Sequence, residues 1–154
     1  MIKINVLVSN KNWKKYIKNP TQYLKIKLKK LNKDDSFFKK RSMEFSILLS
    51  DKKEIQKIKN KFRGKNKQTD ILSFPFNELK ELKKLLKGKK HFYLGDVIIN
   101  LDKIYPYYKK QNFRIFFNKL WIHGLVHLLG GRHKKNKDFI KMNKIEKKFY
   151  NLIS

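Results

Sequence analysis

The sequence predicts a single domain, residues 1–154, of mixed strand and helix, and three observations predict it. Short stretches of period-two apolar alternation recur along the chain, and between them apolar residues fall at three-and-four spacing. No repeat, low-complexity segment or Pro/Gly/Ser-rich linker divides the 154 residues. The length suffices to bury a core without staples, and there is no cysteine to supply any. The absence of cysteine fits a cytoplasmic location. No run of about 18 or more apolar residues occurs, so no membrane span is expected, and the apolar run at the N-terminus is too short for a secretory signal.

Residues 2–8 place Ile2, Ile4, Val6 and Val8 on one face of a half-buried strand. Trp13 and Ile17 stand at helical spacing. Asn19-Pro20 then reads as a cap followed by proline at the first helical position, with Leu24, Leu28 and Leu31 continuing the stripe. Residues 33–36 read as a polar connection. A second strand runs from Met43 to Leu49. Asp51 and Glu54 then form a capping box for a helix that turns Ile55, Ile58 and Phe62 inward and ends at Gly64. A strand from Asp70 to Phe74 stops at Pro75, which belongs at a sheet edge. Residues 77–90 carry Leu79, Leu82 and Leu86 as a short helix or a flap closed by Gly88. Residues 93–100 form an apolar strand whose carboxylate, Asp96, either orients a metal-binding histidine or caps the strand. Asp102 caps a short helix that Pro106 allows. Phe113 to Leu129 forms a long helix, and Asp138 caps a last one that packs through Met142, Ile145, Phe149 and Leu152.

The formal charge is +28, with arginine only at Arg41, Arg63, Arg114 and Arg132. Lysine, asparagine and isoleucine abound and alanine is absent. That bias is what AT-rich codon usage imposes, so part of the charge records mutation pressure. Whatever its origin, the charge attracts polyanions, and RNA or the ribosome is the expected partner. No basic amphipathic helix stands apart to suggest a membrane surface.

Three of the four histidines fall in the thirteen residues from Trp121 to His133. His123 and His127 are four apart, so a helix projects both from one face, one turn above the other. Gly130-Gly131 ends that helix and lets the chain double back to bring His133 to the same ion. Three protein ligands leave a coordination position open, as in a catalytic zinc site, whereas a structural zinc site is closed by four. The spacing is that of metzincin-type zinc proteases, but Gly124 stands where their general-base glutamate would be, which disfavours peptide hydrolysis. The bland alternative is three unrelated histidines. His91 is expected to be exposed or in the core rather than a fourth ligand.

The stretch from Phe62 to Pro75 reads as helix end, basic loop and strand. Arg63 is notable in a lysine-dominated chain, because a guanidinium grips phosphate oxygens with a fork that lysine lacks. The competing reading is that it covers a helix C-terminus.

Together these stretches resemble the YbeY family of bacterial endoribonucleases, also called ribosomal RNA maturation factors. Its signature H-G-x-x-H-L-x-G-x-x-H is matched by His123-Gly124, His127-Leu128, Gly130 and His133. Its loop-strand motif is matched by Arg63-Gly64 and Thr69 to Pro75, Gly95 to Ile98 looks like a third shared segment, and Met142 with Glu146 looks like its C-terminal helix. The similarity runs from about residue 45 to the end.

The resemblance implies an α+β fold: a small, mostly parallel sheet with one antiparallel strand, packed with helices, the central one carrying the metal histidines. It implies one zinc ion on His123, His127 and His133, and Arg63 as the functional arginine. It implies zinc-dependent cleavage of single-stranded RNA in maturation of the 3′ end of 16S rRNA and in ribosome quality control, with the small subunit as partner. Lys65 and Lys67, with residues 77–90, would lead the RNA backbone in, and Phe74 or Phe76 would stack bases. The alternative is a zinc-stabilised ribosome-assembly factor that binds RNA without cutting it. Two departures stand out: Gly131-Arg132 replaces the family's usual Tyr-Asp, and Gln68 replaces a proline.

Overall fold

The computed structural model describes residues 1–63, 70–104, 110–132 and 134–154, with the backbone alone for 62, 63, 110 and 111. Within them the strands are β1 (Ile2–Val8), β2 (Met43–Ser50), β3 (Ile71–Pro75) and β4 (Phe92–Asn100). The helices are α1 (Pro20–Asp34), α2 (Ser36–Lys39), α3 (Lys52–Arg63), α4 (Leu79–Lys87), α5 (Lys110–Leu128) and α6 (Asn136–Ile153). The sheet order is β1-β2-β4-β3, parallel from β1 through β4, with β3 antiparallel on the edge. The fold is therefore α+β with a mostly parallel sheet and one antiparallel strand, as the sequence predicts.

One face of the sheet packs under α1, α5 and α6, and this is the main core. Its centre is aromatic. Trp13, Phe113 and Phe117 are fully buried, and the Trp13 ring meets those of Phe113 and Phe117 at 5.8 and 5.4 Å. The polar handles inside are satisfied. The Trp13 indole donates to Ser50 O at 2.9 Å, and Asn118 Oδ1 accepts from both Trp121 Nε1 and Tyr23 at 3.0 Å. On the opposite face α3 covers a smaller cluster of Ile55, Leu72 and Ile98.

Several local expectations shift, each for a physical reason. Residues 33–36 are not a simple connection: α1 runs through Asp34, and Asp35 Oδ1 then accepts from Phe37 N at 2.8 Å, starting α2 and seating Phe38 in the core. Asp51 caps α3, accepting from Glu54 N at 3.0 Å, but the Glu54 carboxylate accepts from Ser9 and Ser50 hydroxyls instead of closing the box. Asp102 does not cap its own helix. It accepts from Lys52 N at 2.9 Å and so also serves the start of α3, while Asn100 caps the short 3-10 turn at Leu101–Lys103. Asp138 lies inside the first turn of α6, whose cap position is Lys135. Residues 79–87 are helical, with Leu82 buried. Gly64 and Pro106 lie outside the described residues.

Candidate metal centre

The C-terminal half of helix α5, from Leu120, is apolar nearly all round, as a segment enclosed by core must be. From Leu120 to Leu128 every residue is buried except His123 and His127, which are half-buried. The two imidazoles, with Leu128 beside them, are the side chains this stretch turns toward an opening. The opening is a cavity of about 500 Å³ whose polar wall includes Asp70, Ser73, Asn77, His123, His127 and Arg132. Leu79 and Leu82 of α4 add an apolar side, so residues 77–90 form part of the cavity wall.

Each histidine is held by its Nδ1. His127 Nδ1 lies 2.9 Å from Gly131 O, and His123 Nδ1 is hydrogen-bonded to Glu146 on α6. A carbonyl oxygen only accepts, so His127 Nδ1 carries a proton, and Nε2 is the nitrogen left to face the opening. The Glu146 carboxylate imposes the same tautomer on His123. The two Nε2 atoms then face one another at 3.1 Å with the rings near perpendicular. An approach that close is met either by one proton shared between the two nitrogens or by a cation bound to both. Two imidazole nitrogens on one zinc ion, each about 2.0–2.1 Å away, stand roughly 3.3 Å apart at a tetrahedral angle. The pair fits a metal ion within a few tenths of an ångström, and Glu146 and Gly131 O are the outer partners such ligands use to fix ring orientation. Among the described residues no third histidine, cysteine or carboxylate completes a ligand set. The third expected ligand, His133, lies outside them, as do Lys65, Lys67 and the Arg63 side chain.

The turn that ends α5 follows the sequence reading. Gly130 has φ of 98°, the left-handed region that glycine enters without steric cost, and Gly131 N donates to Val126 O at 2.9 Å. That turn aims Gly131 O at His127. Gly124 has a different task. A Cβ there would lie 2.7 Å from Val97 Cγ1 and 3.0 Å from Ile71 Cδ1, so a bare backbone at 124 lets α5 press against β3 and β4. The position faces the sheet. A protease-type glutamate could not stand there without forcing the helix away, a second reason to set peptide hydrolysis aside.

Asp96, which the sequence left between two roles, is turned away from the histidines. Pairing between β2 and β4 slips by one residue, with Glu44 opposite Tyr93 and Phe45 opposite Gly95. Phe92 and Leu94 face the main core before the slip, and Val97 and Ile99 face it after. Gly95, at φ of 141°, absorbs the irregularity. Asp96 is therefore exposed on the far face, where it accepts from the Tyr93 hydroxyl at 2.5 Å. Burial, helped by that bond, pushes the Tyr93 phenol up to about 12. Of the two aromatic residues expected to stack bases, Phe74 packs against the cluster under α3, whereas Phe76 is 72% exposed.

Glu146 is a site residue that sequence reasoning placed, with Met142, only on the C-terminal helix of the resemblance. Its position on an amphipathic helix was readable, but its pairing with a residue 23 positions away was not. Nor did the sequence assign a role to Asp70 or Ser73, although both lie in a motif it singled out.

Residues 6–154 match the sequence profile of the family described as Endoribonuclease YbeY. The match starts well ahead of the motifs that carry the resemblance. The chain is 40% identical over 158 residues to the Endoribonuclease YbeY of Pelagibacter ubique, spanning 99% of this chain and 97% of that one. It is 32% identical to that of Ehrlichia canis, over 95% of this chain and 88% of the relative. The solution structure of TM1509 from Thermotoga maritima superimposes with a TM-score of 0.51 at 22% identity, covering 99% of this chain and 89% of that one, a likeness of fold. With the profile spanning nearly the whole length and relatives aligned end to end, the chain belongs to the endoribonuclease YbeY family.

Proposed function

We propose that the chain is a zinc-dependent endoribonuclease that cuts single-stranded RNA, acting in the cytoplasm on the 3′ end of small-subunit ribosomal RNA and in ribosome quality control. The single observation that carries this reading is the meeting of two anchored imidazole Nε2 atoms, 3.1 Å apart, at the wall of an open cavity. Family membership supplies the substrate class. The net charge of +28 supplies the attraction that any RNA ligand needs.

His123, His127 and His133 would hold the ion. Zinc held there would supply a Lewis acid for a water or for an oxygen of the scissile phosphate. The chain does the rest. Glu146 and Gly131 O fix the two imidazole tautomers, so the Nε2 lone pairs stay aimed and basic. Arg63 neutralises the charge that grows on phosphorus as the new bond forms, a task for a bidentate guanidinium. Lys65 and Lys67 draw in the backbone, and Phe76, exposed beside cavity residues Pro75 and Asn77, offers a ring for a base. Asp70 is the one carboxylate among the described cavity residues, a proton acceptor that does not have to leave the metal to act.

The test is cleavage of a model single-stranded RNA by the purified protein. Arg63→Ala should lose about 10²–10³-fold in rate while keeping its fold and its metal. Unchanged cleavage in that variant, or cleavage that survives His123→Ala, means that the reaction is done elsewhere. The dense positive charge also suits a second reading, an assembly factor that binds RNA and leaves it intact, for which the wild-type protein would bind the same RNA without cutting it.

A further inference from the structure

His123 also lines a second, small hollow of about 50 Å³, together with Phe139, Met142, Asn143 and Glu146. Phe139 stands over it on the first turns of α6, 59% exposed, an unusual placement for a ring that size beside a polar site. Between Arg132, in the wall of the main cavity, and Phe139 the chain presents Lys134, Lys135 and Lys137, all exposed. A strand of alternating phosphates and bases needs this arrangement: cations for the backbone, and a π-face for which any base is a partner.

We propose that Phe139 is a base-stacking platform for the substrate. A nucleotide next to the scissile phosphate lays its base on the ring, with the backbone held by Arg132 and the lysines of residues 134–137. This inference rests on the reading of the chain as a single-stranded RNA enzyme and adds to it a subsite at the hollow that His123 shares with Phe139. Arg132 gains a function here. It is a residue by which this chain departs from its family's usual carboxylate, and it turns that wall of the cavity from repelling phosphate to attracting it. The occupant is a base with its phosphates rather than a protein, because the exposed apolar surface is confined to Phe139 and the adjacent Ile140, with Lys134, Lys135 and Lys137 exposed beside it.

Trp13 and Trp121 are fully buried, so Phe139→Trp introduces a single exposed tryptophan whose emission reports on the subsite directly. Two strands are titrated into that variant: a twelve-residue oligoadenylate, and a base-free tetrahydrofuran-phosphate strand of equal length and charge. The oligoadenylate should quench the exposed tryptophan and the base-free strand should not, although both bind at low salt. In cleavage assays Phe139→Ala should raise KM by about 5- to 100-fold with kcat little changed, and Phe139→Tyr should restore KM. Equal quenching by both strands, or bound oligoadenylate without quenching, overturns the platform. Failure of the parent protein to bind the oligoadenylate at all overturns the RNA reading together with it. Quenching without any cleavage leaves the platform standing and sinks the nuclease.

Discussion

His91 and His123 each have both ring nitrogens engaged, and the difference between them shows what makes a histidine available to a metal. His91 lies on the open face of the sheet, with Nδ1 at 2.7 Å from the Ser42 hydroxyl and Nε2 at 3.3 Å from Glu44. Both nitrogens meet conventional hydrogen-bonding groups. Glu44 is held below the usual carboxylate range, first by the amide of Asn5 and then by His91, so the group forms a small closed network. His123 and His127 instead spend Nδ1 on fixed acceptors and turn Nε2 toward each other. What separates the two is the partner of Nε2: a carboxylate for His91, and a second imidazole nitrogen for His123 and His127.

Four changes sharpen that contrast. Glu146→Gln keeps the size of the side chain but removes the charge that sets the tautomer of His123. Metal affinity should fall by about 10- to 100-fold in a chelator competition, with the fold retained. An unchanged affinity would make the Glu146 contact incidental. Gly124→Ala tests the packing behind the ligands: a methyl group 2.7 Å from Val97 should lower stability by about 1–3 kcal/mol in denaturant unfolding. If that variant is as stable as the parent, the close approach of α5 to the sheet is not what requires glycine.

Asp51 provides a reference point away from the metal. The donated backbone bond from Glu54, its main cause, holds the Asp51 pKa below 3.8. A depressed carboxylate stabilises the fold above its unfolded pKa, and that contribution drains away as pH falls through the folded value. Asp51→Ala should therefore cost about 1 kcal/mol at neutral pH. The gap between variant and parent should narrow below about pH 4, with metal affinity untouched at pH 7. A gap that stays constant into acid would assign the effect to something other than the charged cap. The smallest effect belongs to His91→Ala, which should change stability by no more than about 0.5 kcal/mol and leave the metal in place. Metal loss in that variant would erase the distinction between the two kinds of histidine.

The sequence made the histidine pair legible because the information is local: four residues of helix put two rings on one face, and Gly130 marks where the helix must stop. The same holds for β1, β2 and the edge position of β3, whose periodicity and proline speak for themselves. What could not be read is what depends on through-space meetings. Glu146 reaches His123 only because α6 packs on α5. Asp102 caps α3 rather than its own turn because the end of β4 stands beside the start of that helix. Asp96 faces away because a one-residue slip at Gly95 reverses the alternation that simple counting would continue. Four residues at α2 carry too little periodicity to announce a helix, and there the cap at Asp35 decides.

The central claim is that His123 and His127 are metal ligands held ready by Glu146 and Gly131. The most direct measurement is metal content by elemental analysis of the purified wild-type chain, with His127→Ala and His91→Ala prepared alongside it. About one zinc per molecule in the wild type and in His91→Ala, and almost none in His127→Ala, is the predicted result. A wild-type protein that takes up no metal when zinc is supplied, or a His127→Ala protein that retains a full equivalent, would contradict it.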